Sequence, residues 1–184
     1  MKRAGFLTAV AALMLALVAA GAAGNASSLP LTKRLITFAG LRSSTTPSAV
    51  TSIAAWAKSD TSISATNLRA WGFAGGIGDQ LDTPGNSDRY GLSLVVELSS
   101  HANADAYLKS VYTTNGPWTR FSVSGIPGAV GFEQKQSGQG GSNVGFTAGP
   151  YIYLVGVGWQ GASSNEIPNT TLIAAAQQLY KRVS

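Results

Sequence analysis

The stretch Ala129–Trp159, AVGFEQKQSGQGGSNVGFTAGPYIYLVGVGW, decides the fold. It holds three apolar runs, about residues 129–136, 143–148 and 151–159, joined by the glycine-rich Ser137–Gly141 and by the tight Ala148-Gly149-Pro150. Joints this short connect antiparallel neighbours, because a parallel crossover needs a dozen or more residues. In the last run Tyr151, Tyr153, Val155, Val157 and Trp159 share one face. The opposite face reads Ile152, Leu154, Gly156 and Gly158, so its backbone is bare and another element can approach closely.

Upstream, Leu92, Leu94, Val96 and Leu98 alternate with Ser93, Val95, Glu97 and Ser99, which predicts a strand with its regular apolar side on the core. Ser99-Ser100 offers a helix cap, after which Ala104, Tyr107, Leu108 and Val111 fall on one face and Asp105 precedes Lys109 by four as a surface pair. Asn115-Gly116-Pro117 stops that helix. Phe121 and Val123 then predict a short strand before the rigid turn Gly125-Ile126-Pro127-Gly128-Ala129. Trp71-Gly72-Phe73-Ala74-Gly75-Gly76-Ile77 reads as a strand with a bulge or bend, and Asp82–Asp88 as a turn.

Thr46-Pro47 opens an earlier helix carrying Val50, Ile53, Ala54 and Ala57, ended by Ser59-Asp60. At the other end Asn169 caps a final helix with Leu172, Ala176, Leu179, Tyr180 and Val183 aligned, and Lys181 and Arg182 suit its C-terminal dipole. Hairpins outnumber possible crossovers. The expectation is an α+β domain: an antiparallel sheet of about five to six strands with helices packed on one face.

The chain begins as a secretory leader. Met1-Lys2-Arg3 is a cationic start, Ala4–Ala20 an uncharged apolar run, and the small residues beyond it permit cleavage after Ala22 or Ala26. The run is Ala-rich and falls short of the ~20 apolar residues of a spanning helix. We therefore divide the chain into a signal peptide (1–26), a Ser/Thr-rich linker (27–45) whose apolar patch Leu35–Phe38 is expected to contribute one strand, and a single α+β domain (46–184). This predicts a protein that is secreted or held in the cell envelope without a stable membrane anchor.

Composition excludes several classes of function. Without cysteine there is neither disulfide framework nor thiolate metal site. The formal charge of +5 falls to +3 once Lys2 and Arg3 leave, and the basic residues are scattered, with only Lys33-Arg34 and Lys181-Arg182 adjacent. Nucleic-acid binding calls for a concentrated basic stripe, so no nucleic-acid partner is expected. The single histidine, His101, reads as a polar residue in a helix's first turn. Asp79, Asp82 and Asp88 lack the spacing of a calcium loop, so no metal and no cofactor are expected. Ser122-Val123-Ser124-Gly125-Ile126 and Gly85-Asn86-Ser87-Asp88-Arg89 both miss the nucleophile-elbow frame. Gly75-Gly76-Ile77-Gly78 has no Lys-Ser/Thr and is no phosphate loop. A glycosidase needs two carboxylates, for which Asp79, Glu97 and Glu133 are the available acids. No catalytic residue is assigned.

Aromatic side chains are the remaining candidates for a binding surface. Trp71 and Trp159 read as core. Trp118, after Gly116-Pro117, sits in a loop, and with Tyr151 and Tyr153 it forms the expected binding set.

Residues 45–184 resemble a loosely related group of actinobacterial exported proteins and lipoproteins. The resemblance rests on Trp71-Gly72-Phe73-Ala74-Gly75-Gly76, the strand-to-helix pattern from Leu94 to Tyr107, Gly125–Ala129, and Val144-Gly145-Phe146-Thr147-Ala148-Gly149 before an aromatic strand and final helix. It implies a compact α+β envelope domain and transfers no catalytic residue. This chain departs from the lipoprotein members in lacking the acylated cysteine. The expected function is an exported non-enzymatic domain binding an envelope component, small ligand or protein; the alternative is a carboxylate-dependent hydrolase of an envelope polymer.

Overall fold

A computed structural model describes residues 29–38, 40–60, 63–114 and 118–184. The leader, with its cleavage positions Ala22 and Ala26, and the Asn115-Gly116-Pro117 stop lie outside the described residues. Seven strands form one antiparallel sheet: β1 (Arg42–Ser43), β2 (Gly75–Thr83), β3 (Asn86–Glu97), β4 (Thr119–Phe121), β5 (Val130–Gln136), β6 (Gln139–Ala148) and β7 (Tyr151–Gln160). Their order across the sheet is β1-β2-β3-β7-β6-β5-β4. Among the described residues four α-helices accompany them: α1 (Ile53–Ser59), α2 (Ala65–Ala70), α3 (His101–Thr114) and α4 (Asn169–Val183). The class is α+β, as the hairpin-rich order predicts.

The β5–β6–β7 meander stands where the short joints put it. Strand β6 starts at Gln139 rather than 143, because Gly140 and Gly141 pair in register with Trp159 and Gly158; the turn is only Ser137-Gly138. The other hairpin, β2–β3, closes over Pro84-Gly85, where Gly85 takes a φ of +75°. The two hairpin systems join through β3 and β7, with Arg89 opposite Trp159 and Glu97 opposite Tyr151.

Helices cover both faces, not one. On one face α1, α2 and α3 bury Trp56, Leu68, Tyr107 and Val111 against Leu94, Val96 and Ile152. On the other, α4 lays Leu172, Ala176 and Leu179 on Val144, Phe146, Tyr153 and Val155. Successive residues of β3 and β7 therefore enter different cores, which explains why Leu92–Val96 are all buried. Alternation in Leu92–Leu98 marked one buried side; Ser93 and Val95 supply a second.

Residues 29–38 and 40–45 pack with the domain rather than standing apart from it as a linker. Leu31–Arg34 form a 3-10 turn, Ile36, Phe38 and Leu41 are buried in the α4-side core, and Arg42–Ser43 join β2 as the edge strand. Leu35–Phe38 form no strand; instead the Ile36 amide donates to the Ser93 hydroxyl at 2.9 Å. The first helix starts at Ile53, later than Thr46-Pro47, because Val50 bridges Gly76 and the Ser52 hydroxyl caps by accepting from the Ala55 amide. Gly76 is required there: a Cβ on it would fall 2.4–2.7 Å from the buried Trp56 ring. Of the stretch read as a bulged strand, Trp71-Gly72 form the turn that follows α2, itself capped by Ser64, and Gly75–Ile77 open β2. Helix α4 has Pro168 at its cap, and the Asn169 side chain donates to Glu133 instead. On the bare face of β7, Ile152 meets α3, whereas the two glycines are covered by side chains of neighbouring strands: Gly156 lies under the Asn143 amide and Gly158 under the phenol end of Tyr90.

Candidate functional site

At the β6–β7 end of the sheet a cleft of about 570 Å³ opens around the turn Ala148–Pro150, lined among others by Arg34, His101, Asp105, Thr147, Tyr151 and Tyr180. That volume lies within the ~300–1,000 Å³ of small-molecule sites. Its two lips come from the two faces of the sheet, and the turn runs between them.

Arg34 defines the α4-side lip. The 3-10 turn presents Lys33 to solvent and turns Arg34 inward, where it is 7% exposed. Its Nε donates to the Leu29 carbonyl at 2.9 Å and its Nη1 to the Tyr153 hydroxyl at 2.7 Å. The guanidinium carbon lies 3.7 Å above the centre of the Tyr151 ring. Tyr151 in turn donates its hydroxyl to Glu97 at 3.1 Å, a hydrogen bond that makes the ring more electron-rich beneath the cation. Burial pushes the Tyr153 phenol above its ordinary value, while the Arg34 hydrogen bond and charge oppose that rise. Tyr153 is therefore a neutral acceptor near pH 7, and it leaves the charge of Arg34 uncompensated. Among the described residues Arg34 forms no ion pair.

The tyrosines are held by aromatic packing. Tyr153 stacks on Phe146 with centroids 4.9 Å apart and planes 12° apart, and Phe146 meets Tyr180 of α4 edge-on at 5.7 Å. Both stacking partners are fully buried. Arg34 therefore rests on a rigid floor.

The α3-side lip is polar and internally bonded. His101 Nδ1 lies 3.0 Å from the Gly149 carbonyl, so that nitrogen carries the proton. Its Nε2 is 3.5 Å from Asp105, and Thr147 donates to the other Asp105 oxygen at 2.7 Å. Asp105 thus serves this lip rather than pairing with Lys109. His101 is exposed, as its place in the first turn suggests, and it also ties α3 to the β6–β7 turn.

The expected binding set divides. Tyr151 and Tyr153 stand together beneath Arg34, as alternate residues of β7 on one face. Trp118, half-buried, precedes β4 at the far edge of the sheet. Through the register its neighbourhood corresponds to Val157, roughly 20 Å along β7 from Tyr151 at ~3.3 Å per residue. The three acids available to a hydrolase are likewise apart. Asp79 is buried on β2 and accepts from Ser43, Glu97 accepts from Tyr151, and Glu133 on β5 accepts from Asn169 and pairs with Lys135. Asp82 and Asp88 bond Gln80 and Gln160. Among the described residues no group of three His, Asp or Glu is placed to hold a metal ion. None of the described helices is long and apolar enough to cross a membrane.

Sequence reasoning missed Arg34. Beside Lys33 it reads as half of a surface basic pair, and only the handedness of a short 3-10 turn separates the two.

No protein-family model matches this chain, and no curated protein sequence matches it. Among solved structures it is similar to the extracellular domain of PknH from Mycobacterium tuberculosis, with 17% identity over 64% of this chain and 68% of that one and a TM-score of 0.47. The likeness concerns the path of the chain and assigns no residue a role.

Proposed function

We propose that this chain is an exported, non-enzymatic domain that binds a small envelope-derived ligand in the cleft around Ala148–Pro150. The observation that supports the reading is the cleft itself: polar groups converge on it from both faces of the sheet, with a rigid aromatic floor on one side. Export rests on the leader pattern of residues 1–26. The hydrolase reading needs two carboxylates across one substrate, and Asp79, Glu97 and Glu133 lie on three different strands with separate partners.

Two measurements test it. N-terminal sequencing of protein recovered from the medium or envelope should begin after Ala22 or Ala26; a chain still starting at Met1 overturns the export reading. Titration of the ¹⁵N-labelled protein with muramyl dipeptide and with glycerol phosphate should shift the amides of Thr147–Gly149. Uniform small shifts across the whole spectrum would overturn the cleft as the site.

A further inference from the structure

Resting on that reading, we infer that the cleft selects a ligand bearing an oxyanion, a carboxylate or a phosphate, which Arg34 grips with the guanidinium hydrogens left over from its protein contacts. A guanidinium carries five N–H donors. Those of Nε and Nη1 reach the Leu29 carbonyl and the Tyr153 hydroxyl, and no protein acceptor takes Nη2 among the described residues. All the partners of Arg34 are neutral: a carbonyl, a phenol and a ring face. A buried cation without a counter-charge costs free energy, and stacking on tyrosine offsets only part of it. The geometry therefore holds a positive charge in place where a mobile anion can complete it.

The rest of the cleft is consistent with this division of labour. Asp105, the acid on the opposite lip, is already occupied by Thr147 and His101, so it is turned toward its own lip rather than toward Arg34.

The test uses the full chain recovered after export and labelled with ¹⁵N-arginine. Sodium benzoate, inorganic phosphate and dihexanoylphosphatidylglycerol below its micellar concentration are each titrated against sodium chloride at constant ionic strength. Benzoate probes a free carboxylate, phosphate a free phosphate, and the short-chain lipid a headgroup. The expected result is a saturable shift of the Arg34 side-chain resonances with at least one of the three and none with chloride. No saturable shift with any of them overturns the inference. If muramyl dipeptide moves the Thr147–Gly149 amides while Arg34 stays silent, the cleft stands as a site and its oxyanion preference falls. In a second arm, Arg34→Lys keeps the charge but loses the planar stack and should weaken binding at least tenfold. Undiminished binding by a folded Arg34→Lys variant also overturns it. The wild-type titration holds even where a variant does not fold.

Discussion

Arg182, in the last turn of α4, donates from Nη2 to the carbonyl of Leu35 at 2.7 Å, a hydrogen bond between residues 147 positions apart. It ties the C-terminal helix to the segment that enters the domain first. Ile36 and Phe38, on either side of the next carbonyls, are buried in the same core as Leu172 and Leu179. The N-terminal segment is thus a third component of that core.

Phe38→Ala should accordingly cost about 3–5 kcal/mol, the range for an aromatic side chain removed from a packed interior. Arg182→Ala should cost about 1 kcal/mol, since its bond is partly exposed to water. Urea unfolding measures both. A midpoint unmoved by Phe38→Ala would return residues 29–45 to the status of a tether.

Glycine positions on the α3-side face should differ in tolerance. Gly76→Ala drives a Cβ into the ring of Trp56, which is 2% exposed and bonded through Nε1 to Tyr107, so it should lose about 1–3 kcal/mol. At Gly156 the first atom met is the end of the Asn143 amide, which can swing aside. Gly156→Ala should stay within about 1 kcal/mol, because Ala also recovers part of the entropy that glycine loses in a strand. Equal losses from parallel denaturation curves would contradict the distinction.

Asp79 makes stability depend on pH. It is 3% exposed, accepts from Ser43 at 2.5 Å, and leaves Oδ1 without a partner. Burial raises its pKa above the ordinary 3.8, with Ser43 acting against that rise and Asp82 adding to it. The folded state therefore holds this proton more tightly than the unfolded chain. The contribution of Asp79 to stability is fully present below pH 3.8 and is lost as pH rises through the folded-state value. Asp79→Asn keeps an acceptor for Ser43 and removes the charge. Its melting temperature relative to wild type should increase as pH climbs from about 3.8 and then level off. A difference that is flat across the carboxylate range would refute the account.

Tryptophan emission should separate Trp56 from Trp118. A variant retaining only Trp56 should emit at short wavelength and resist acrylamide; one retaining only Trp118, which is half-buried, should emit further to the red and be quenched. Equal quenching would remove Trp118 from consideration as a recognition residue.

What the sequence disclosed follows from which signals are periodic. The meander, α3 and α4 carry regular apolar spacing, and Ala104, Tyr107, Leu108, Val111, Leu172, Ala176 and Leu179 named on the helices are buried, with Tyr180 and Val183 half-buried. Ile36 and Phe38 keep the strand spacing for one step only and Leu41 breaks it, all within a Ser/Thr-rich stretch, so the patch could be read as a strand but not as part of the core. Gly140 and Gly141 concealed the start of β6 because glycine signals a loop unless a large neighbour, here Trp159, fills the space above it. At the site, Tyr151 and Tyr153 were legible as strand neighbours. Arg34 was not, since its burial depends on contacts made over a hundred residues away.

The position of β7 sets the order in which this chain can be completed. Each residue of β3 from Arg89 to Glu97 waits for a partner more than fifty residues further on. Until Tyr151–Gln160 arrive, the first hairpin has an open inner edge and β6 lacks its second partner. Such non-local pairing makes folding slow. For the export proposed above it is an advantage, because a chain threaded from its N-terminus stays loose until Tyr151–Gln160 clear the channel. The same delay exposes a long unpaired strand edge, so the newly exported chain is the form most in need of an escort.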